Sequence, residues 1–217
     1  MAESDEKAVV LSYHDSLLRK SDVSLLEGPH WLNDKLIGFL FEYFENDRFK
    51  ERCHHVRFIS PDVTQFIKLG SHVELELFLQ PLELHTKKLV FLAVNDSTDA
   101  SQAGGSHWSL LVFSRKDGII SHYDSNHGYN EAAARSIAKK IYPYLRAYGE
   151  VEYQEALTPQ QNNCYDCGIY VVSVTECLCM KYLESFKSPL DEFVTPGYVS
   201  KKRKDLIDLI LRLAKGR

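Results

Sequence analysis

Residues 167–183 read CGIYVVSVTECLCMKYL, a run that is apolar on nearly every face of a helical projection. A helix of that kind needs cover on all sides, so the run predicts a central buried helix. It follows the polar stretch QQNN, and Cys164 and Cys167 straddle the boundary in a C-x-x-C spacing. The chain must therefore bury a helix whose first residue is a cysteine at the edge of a polar loop.

The rest of the sequence supplies both helices and strands. Residues 30–46 carry apolar positions at Leu36, Ile37, Leu40, Phe41 and Phe44, with Asn33 or Asp34 able to cap a helix. Ser60, Pro61 and Gly70 bracket a second, short helix, and HVELELFLQ predicts another. KKLVFLAVND, SHWSLLVFSR and GIISHYDS are short apolar or alternating runs separated by turn residues, the pattern of successive strands. A polar, glycine-containing segment, DSTDASQAGG, joins the first two and is expected to be a mobile loop. An amphipathic helix over 130–145, a strand at VEYQEAL and a closing helix over 200–217 complete the pattern. The fold class is α+β, a small, mostly antiparallel sheet packed by helices.

With 217 residues, 44% of them hydrophobic, the chain fits one domain over 9–217 behind a charged, disordered segment of eight residues. A net charge of −4 and a pI near 6.1 argue against a nucleic-acid binder. No apolar run is long enough to span a bilayer, and MAESDEKA is unlike a signal peptide. Five cysteines, an odd number, point to a reducing intracellular compartment rather than a disulfide framework.

Three chemistries compete for the C-x-x-C. As half of a zinc site it would need Cys177 and Cys179, or Cys53 with His54 and His55, but Cys177 and Cys179 lie inside the same predicted helix. As a redox pair it would carry Asp166 next to the second sulfur, where a negative charge opposes a thiolate. As a nucleophile, Cys167 stands at a helix N-terminus, whose partial positive charge favours the thiolate. Gly168 would then let a substrate carbonyl approach the backbone N–H groups. His107, at the start of a strand behind two glycines, is the candidate base. Asp124, one strand later, could fix its tautomer and stabilise the imidazolium. Gln161, six positions before Cys167, could aim an amide N–H at a developing oxyanion. Taken singly, each of these residues has an ordinary structural explanation; their combination favours the nucleophile.

GGSHWSLLV, HYDS and QNNCYDCGIYV, in the order His, Asp, Gln, Cys, resemble the sentrin/SUMO-specific protease family, also called ubiquitin-like-protein proteases. WLND at residues 31–34 resembles that family's N-terminal signature, and the likeness extends from about Val9 to the end. VVLSYHDSLLRKSDVSLL, VTQFIK, FLAVND and TPGYVSKKR look most like the deneddylase member, which acts on the neddylation modifier rather than SUMO.

The resemblance implies a papain-like cysteine protease fold and a His107–Asp124–Cys167 triad with Gln161 as oxyanion donor, leaving Cys164 a bystander. It also implies cleavage after the Gly-Gly terminus of a ubiquitin-like modifier, threaded through a tunnel walled by Trp31 and Trp108, with Asp34 holding the tail. Core anchoring is the other reading of both tryptophans. The expected partners are the neddylation modifier and its conjugates, such as cullins, in cytoplasm and nucleus. No metal, organic cofactor, nucleic acid or membrane is called for, and a monomer suffices. The acidic segment ELELFLQPLEL could meet a basic face of the modifier or simply be a solvated helix face. A SUMO-directed protease and a non-catalytic binder of Gly-Gly tails are the rival functions.

Overall fold

A computed structural model describes residues 6–99, 104–145 and 151–216. Strands β1 (Val9–Tyr13) and β2 (Ser16–Arg19) form an antiparallel hairpin leading into the short helix α1 (Lys20–Ser24). Helix α2 (Asp34–Tyr43) is capped by Asn33, whose side chain accepts from Leu36 N–H at 3.0 Å. It runs on through a π-helical turn, Phe44–Arg48, and a 3-10 stretch, Lys50–His55. Strand β3 (Val56–Ile59) precedes α3 (Pro61–Leu69), capped by Ser60, and α4 (His72–Leu79). Then come β4 (Leu89–Asn95), β5 (Trp108–Ser114), β6 (Ile119–Tyr123), α5 (Glu131–Leu145) and β7 (Glu152–Glu155). The expected central helix is α6 (Cys167–Leu183), followed by α7 (Leu190–Phe193) and α8 (Pro196–Lys215).

The main sheet has five strands in the order β3-β4-β5-β6-β7. Its centre, β4-β5-β6, is antiparallel, and both outer strands join it in parallel. Alternation along β4 divides the interior in two, because successive side chains leave opposite faces of a strand. Leu89, Phe91 and Ala93 join the cluster formed with α2, α6 and the β1–β2 hairpin. Val90, Leu92 and Val94 join the other, under α3, α4 and α5. Helices thus cover both faces, and β4 reads as an unbroken apolar run.

Helix α6 lies in the first of these layers, with every residue from Cys167 to Thr175 buried. Each of its large aliphatic side chains, such as Ile169 and Val172, contributes about 1.5–3 kcal/mol by leaving water. Two expectations are corrected. Of the eight residues expected to be unstructured, 1–5 lie outside the described residues, but 6–8 join the fold: the Ala8 carbonyl accepts from Lys20 N–H at 2.9 Å. The closing helix starts at Pro196, earlier than expected, because Thr195 caps it and proline suits a first helical turn.

Candidate active site

His107 immediately precedes β5, and its backbone is fixed before its ring does anything. Asp96, at the end of β4, accepts the backbone N–H of His107 at 3.0 Å and the N–H and hydroxyl of Ser106, both at 2.7 Å. Burial pushes the Asp96 carboxyl up, but these bonds outweigh it and hold the pKa below the ordinary value. The glycine of this turn is required: at Gly105, with φ +93°, a β-carbon would fall 2.0 Å from Asn95 Oδ1. Residues 100–103 of the expected mobile loop lie outside the described residues.

Because β5 and β6 are antiparallel neighbours, the start of one meets the end of the other. His107 Nε2 and Asp124 Oδ1 stand 2.6 Å apart, and both residues are 4% exposed. Asp124 also accepts the backbone N–H groups of Asn126 (2.8 Å) and Asn130 (2.9 Å). Desolvation alone would raise its carboxyl; the bonds from His107 and these amides hold it low. The exposed ring of Tyr129 meets the imidazole edge-on at 5.4 Å.

Cys167 opens α6, 1% exposed, with its sulfur near enough to the His107 ring to raise that ring's pKa. Since Nε2 faces Asp124, Nδ1 is the nitrogen left for the sulfur. Burial pulls the imidazolium down, but the bonds to Asp124 and Cys167 raise the His107 pKa to about 9. The negative charge of Asp166 is answered by Arg203 of α8, whose Nε donates to its carboxylate at 2.7 Å. The same guanidinium donates to the carbonyls of Leu25, His30 and Tyr165. Burial pushes the thiol pKa of Cys53 to about 12 and of Cys177 to about 11, and that of Cys179 well up. Those sulfurs are inert, and only Cys164 is an exposed thiol.

Gln161 sits beside the pair. Its Oε1 accepts from Ser125 Oγ at 2.8 Å and its Nε2 donates to the Asn163 carbonyl at 2.6 Å, leaving one N–H to offer. Gly168 packs against the segment before α2. A β-carbon there would lie 2.8 Å from Leu32 Cβ, so the glycine admits that segment.

That segment carries one wall of a groove of about 510 Å³, lined by Trp31, Asp34, Asp62, Gly105, His107 and Trp108. Trp31 is 48% exposed, too open for a core anchor, and its indole N–H donates to the Cys164 carbonyl. Trp108 is half-buried against the core, and its N–H donates to the Leu32 carbonyl at 2.9 Å. Asp34, in the first turn of α2, faces Asp62, whose carboxyl is raised by burial and then by Asp34's charge. The acidic segment holds α4, where Glu74 and Glu76 are exposed beside Val73 and Leu77.

The structure thus pairs His107 with Asp124 and places Cys167 beside the same imidazole, with Trp31, Asp34 and Trp108 on a groove that His107 also lines. Sequence reasoning missed Asp96, Asp62, Tyr129 and Arg203. Arg203 ends TPGYVSKKR, a stretch that carried the resemblance without giving the arginine a role.

The sequence profile of the Ulp1 protease family, C-terminal catalytic domain, matches residues 6–212. Sentrin-specific protease 8 of Homo sapiens is 49% identical over 209 residues, covering 95% of this chain and 98% of that protein. NEDD8-specific protease 1 of Arabidopsis thaliana is 31% identical, covering 98% of this chain and 97% of that protein. Among solved structures, the C-terminal Ulp1 protease domain in complex with Smt3, the yeast ortholog of SUMO, superposes with a TM-score of 0.74 at 20% identity. That likeness covers 95% of this chain and 88% of the other, and it concerns the fold.

Proposed function

The chain belongs to the Ulp1 protease family of cysteine peptidases, and from that premise we propose that it cleaves after the C-terminal Gly-Gly of NEDD8, both in precursors and in lysine conjugates. The observation that carries the reading is the His107–Asp124 contact at 2.6 Å, with Cys167 opening α6 beside the same imidazole. The extended tail lies between Trp31 and Trp108, whose flat faces leave room for residues without side chains, and Asp34 holds it further out.

His107 takes the thiol proton of Cys167 as Sγ attacks the carbonyl carbon of the terminal glycine. Charge developing on the carbonyl oxygen meets the backbone N–H of Cys167, at the positive end of α6, and the remaining N–H of Gln161. His107 delivers a proton to the departing amine while Asp124 keeps its ring oriented. The thioester left on Cys167 is hydrolysed by a water whose proton His107 takes, freeing the modifier and restoring the thiol.

The choice of NEDD8 is supported by the relatives named NEDD8-specific proteases. Cullins carrying the modifier are the proposed conjugates. The protein acts as a monomer in cytoplasm and nucleus, reducing compartments in which five unpaired cysteines persist. Fluorogenic release from NEDD8, SUMO and ubiquitin tests the reading. NEDD8 should be turned over fastest, and Cys167→Ala should abolish turnover while retaining binding. Preference for SUMO would overturn the assignment of modifier; turnover by Cys167→Ala would overturn the chemistry.

A further inference from the structure

Behind the His107–Asp124 pair lies a run of buried polar side chains that the proposed chemistry does not use. Asn130 is 2% exposed, Ser109 is 1% exposed and His122 is fully buried. Asn130 Nδ2 lies 3.3 Å from the carbonyl oxygens of both Val94 and His107, and 3.1 Å from Ser109 Oγ. Its backbone N–H is the one that donates to Asp124 Oδ2. One residue therefore ties β4 and the start of β5 to the turn that carries Asp124. Further back, Ser109 Oγ stands 2.8 Å from His122 Nε2, and His122 Nδ1 stands 2.7 Å from Glu155 Oε2.

The direction of each bond follows from what the groups can do. Three acceptors surround one end of the Asn130 amide, and Oδ1 at the other end has no partner among the described residues, which identifies the nitrogen. The amide nitrogen has two hydrogens for three acceptors, and Ser109 Oγ, the nearest at 3.1 Å, takes one of them and sends its own hydrogen to His122 Nε2. That nitrogen is then an acceptor, so Nδ1 carries the ring hydrogen and gives it to Glu155. Every hydrogen in the chain is committed. Turning any member strands a buried polar group, at a cost of about 1–3 kcal/mol.

We propose that Asn130, held in place by Ser109 and His122, is a positioning residue that sets the spacing and angle of the His107–Asp124 pair. None of the three lines the groove, so they act through the pair and not on the substrate. The inference rests on the reading of His107, Asp124 and Cys167 as the reacting groups.

Asn130→Ala and Ser109→Ala in the full chain test it. Active sites are counted by titration with NEDD8 carrying a thiol-reactive C-terminus, kcat and KM are measured separately, and the His107 ring is titrated by NMR. Per titrated site, kcat should fall about tenfold to a hundredfold in Asn130→Ala and less in Ser109→Ala, with KM unchanged. The His107 ring should titrate at lower pH than in the parent protein, because its bond to Asp124 has loosened. Fewer titratable sites with an unchanged kcat per site and an unchanged His107 titration would mean a merely structural role and overturn the proposal. Where Asn130→Ala does not fold, Ser109→Ala, which deletes one hydroxyl, decides on the same readouts. Failure of the parent protein to be labelled at Cys167 would instead sink the underlying catalytic reading.

Discussion

Gly168 and Leu32 touch so closely that a β-carbon on the glycine would stand 2.8 Å from the leucine Cβ and 3.1 Å from its Cγ. Cβ is the stiff root of a side chain and cannot swing away. Leu32 in turn supplies the carbonyl that holds Trp108, so this contact sets the spacing of the groove wall as well as the packing of α6. Helix propensity favours alanine over glycine by up to about 1 kcal/mol, whereas overpacking costs about 1–3 kcal/mol, and the steric effect should win. Gly168→Ala is expected to lower stability in urea unfolding and to raise KM for a NEDD8 fusion. A more stable variant would show that the backbone relaxes freely there.

Arg203 and Asp166 form a buried pair whose loss should be severe. Breaking such a pair from one side costs about 3–5 kcal/mol, since the remaining charge is left without a partner. Arg203→Ala leaves Asp166 without its cation, held by the Asn163 amide at 2.8 Å, and frees the carbonyls of Leu25, His30 and Tyr165. Denaturant unfolding should show a loss of that order. The double variant Arg203→Met with Asp166→Asn should recover much of it, and an equally unstable double variant would count against a charge effect.

The titration of His107 carries a pH dependence with a definite sign. Its pKa in the folded chain is about 9, above the ordinary value of about 6.5. The stabilisation it gives is complete below about pH 6.5 and is lost as pH rises through about 9. Melting temperature should therefore decline across that window, and His107→Ala should flatten the decline. An unchanged slope in the variant would assign it to other groups.

Gln161, the proposed oxyanion donor, holds its amide between Ser125 and the Asn163 carbonyl. Removing one such donor costs about 10²–10³ in rate. Gln161→Ala should therefore lower kcat by that factor in single-turnover release of the modifier, with KM little changed. A loss in KM alone would place the residue in binding.

Strands β4, β5 and β6 were legible because each is buried and bounded by turn residues, and adjacency of β5 and β6 made the meeting of His107 and Asp124 deducible. The β1–β2 hairpin and β3 were not. Each is four or five residues long, with exposed or half-buried positions among the buried ones, and β3 is recruited by a parallel pairing to β4 across two helices. Asn33 as the cap of α2 was one of two choices that local sequence allowed, and its bond to Leu36 N–H decides between them. The reacting residues stood out by chemical type, whereas their supports did not. Asp96 is an ordinary loop aspartate until the fold returns Ser106 and His107 to it, and Arg203 meets Asp166 only when α8 docks.

Through one guanidinium, α8 fastens residues near position 30 to the loop before Cys167. One side chain thus couples the groove wall that carries Trp31 to the start of the helix that carries Cys167.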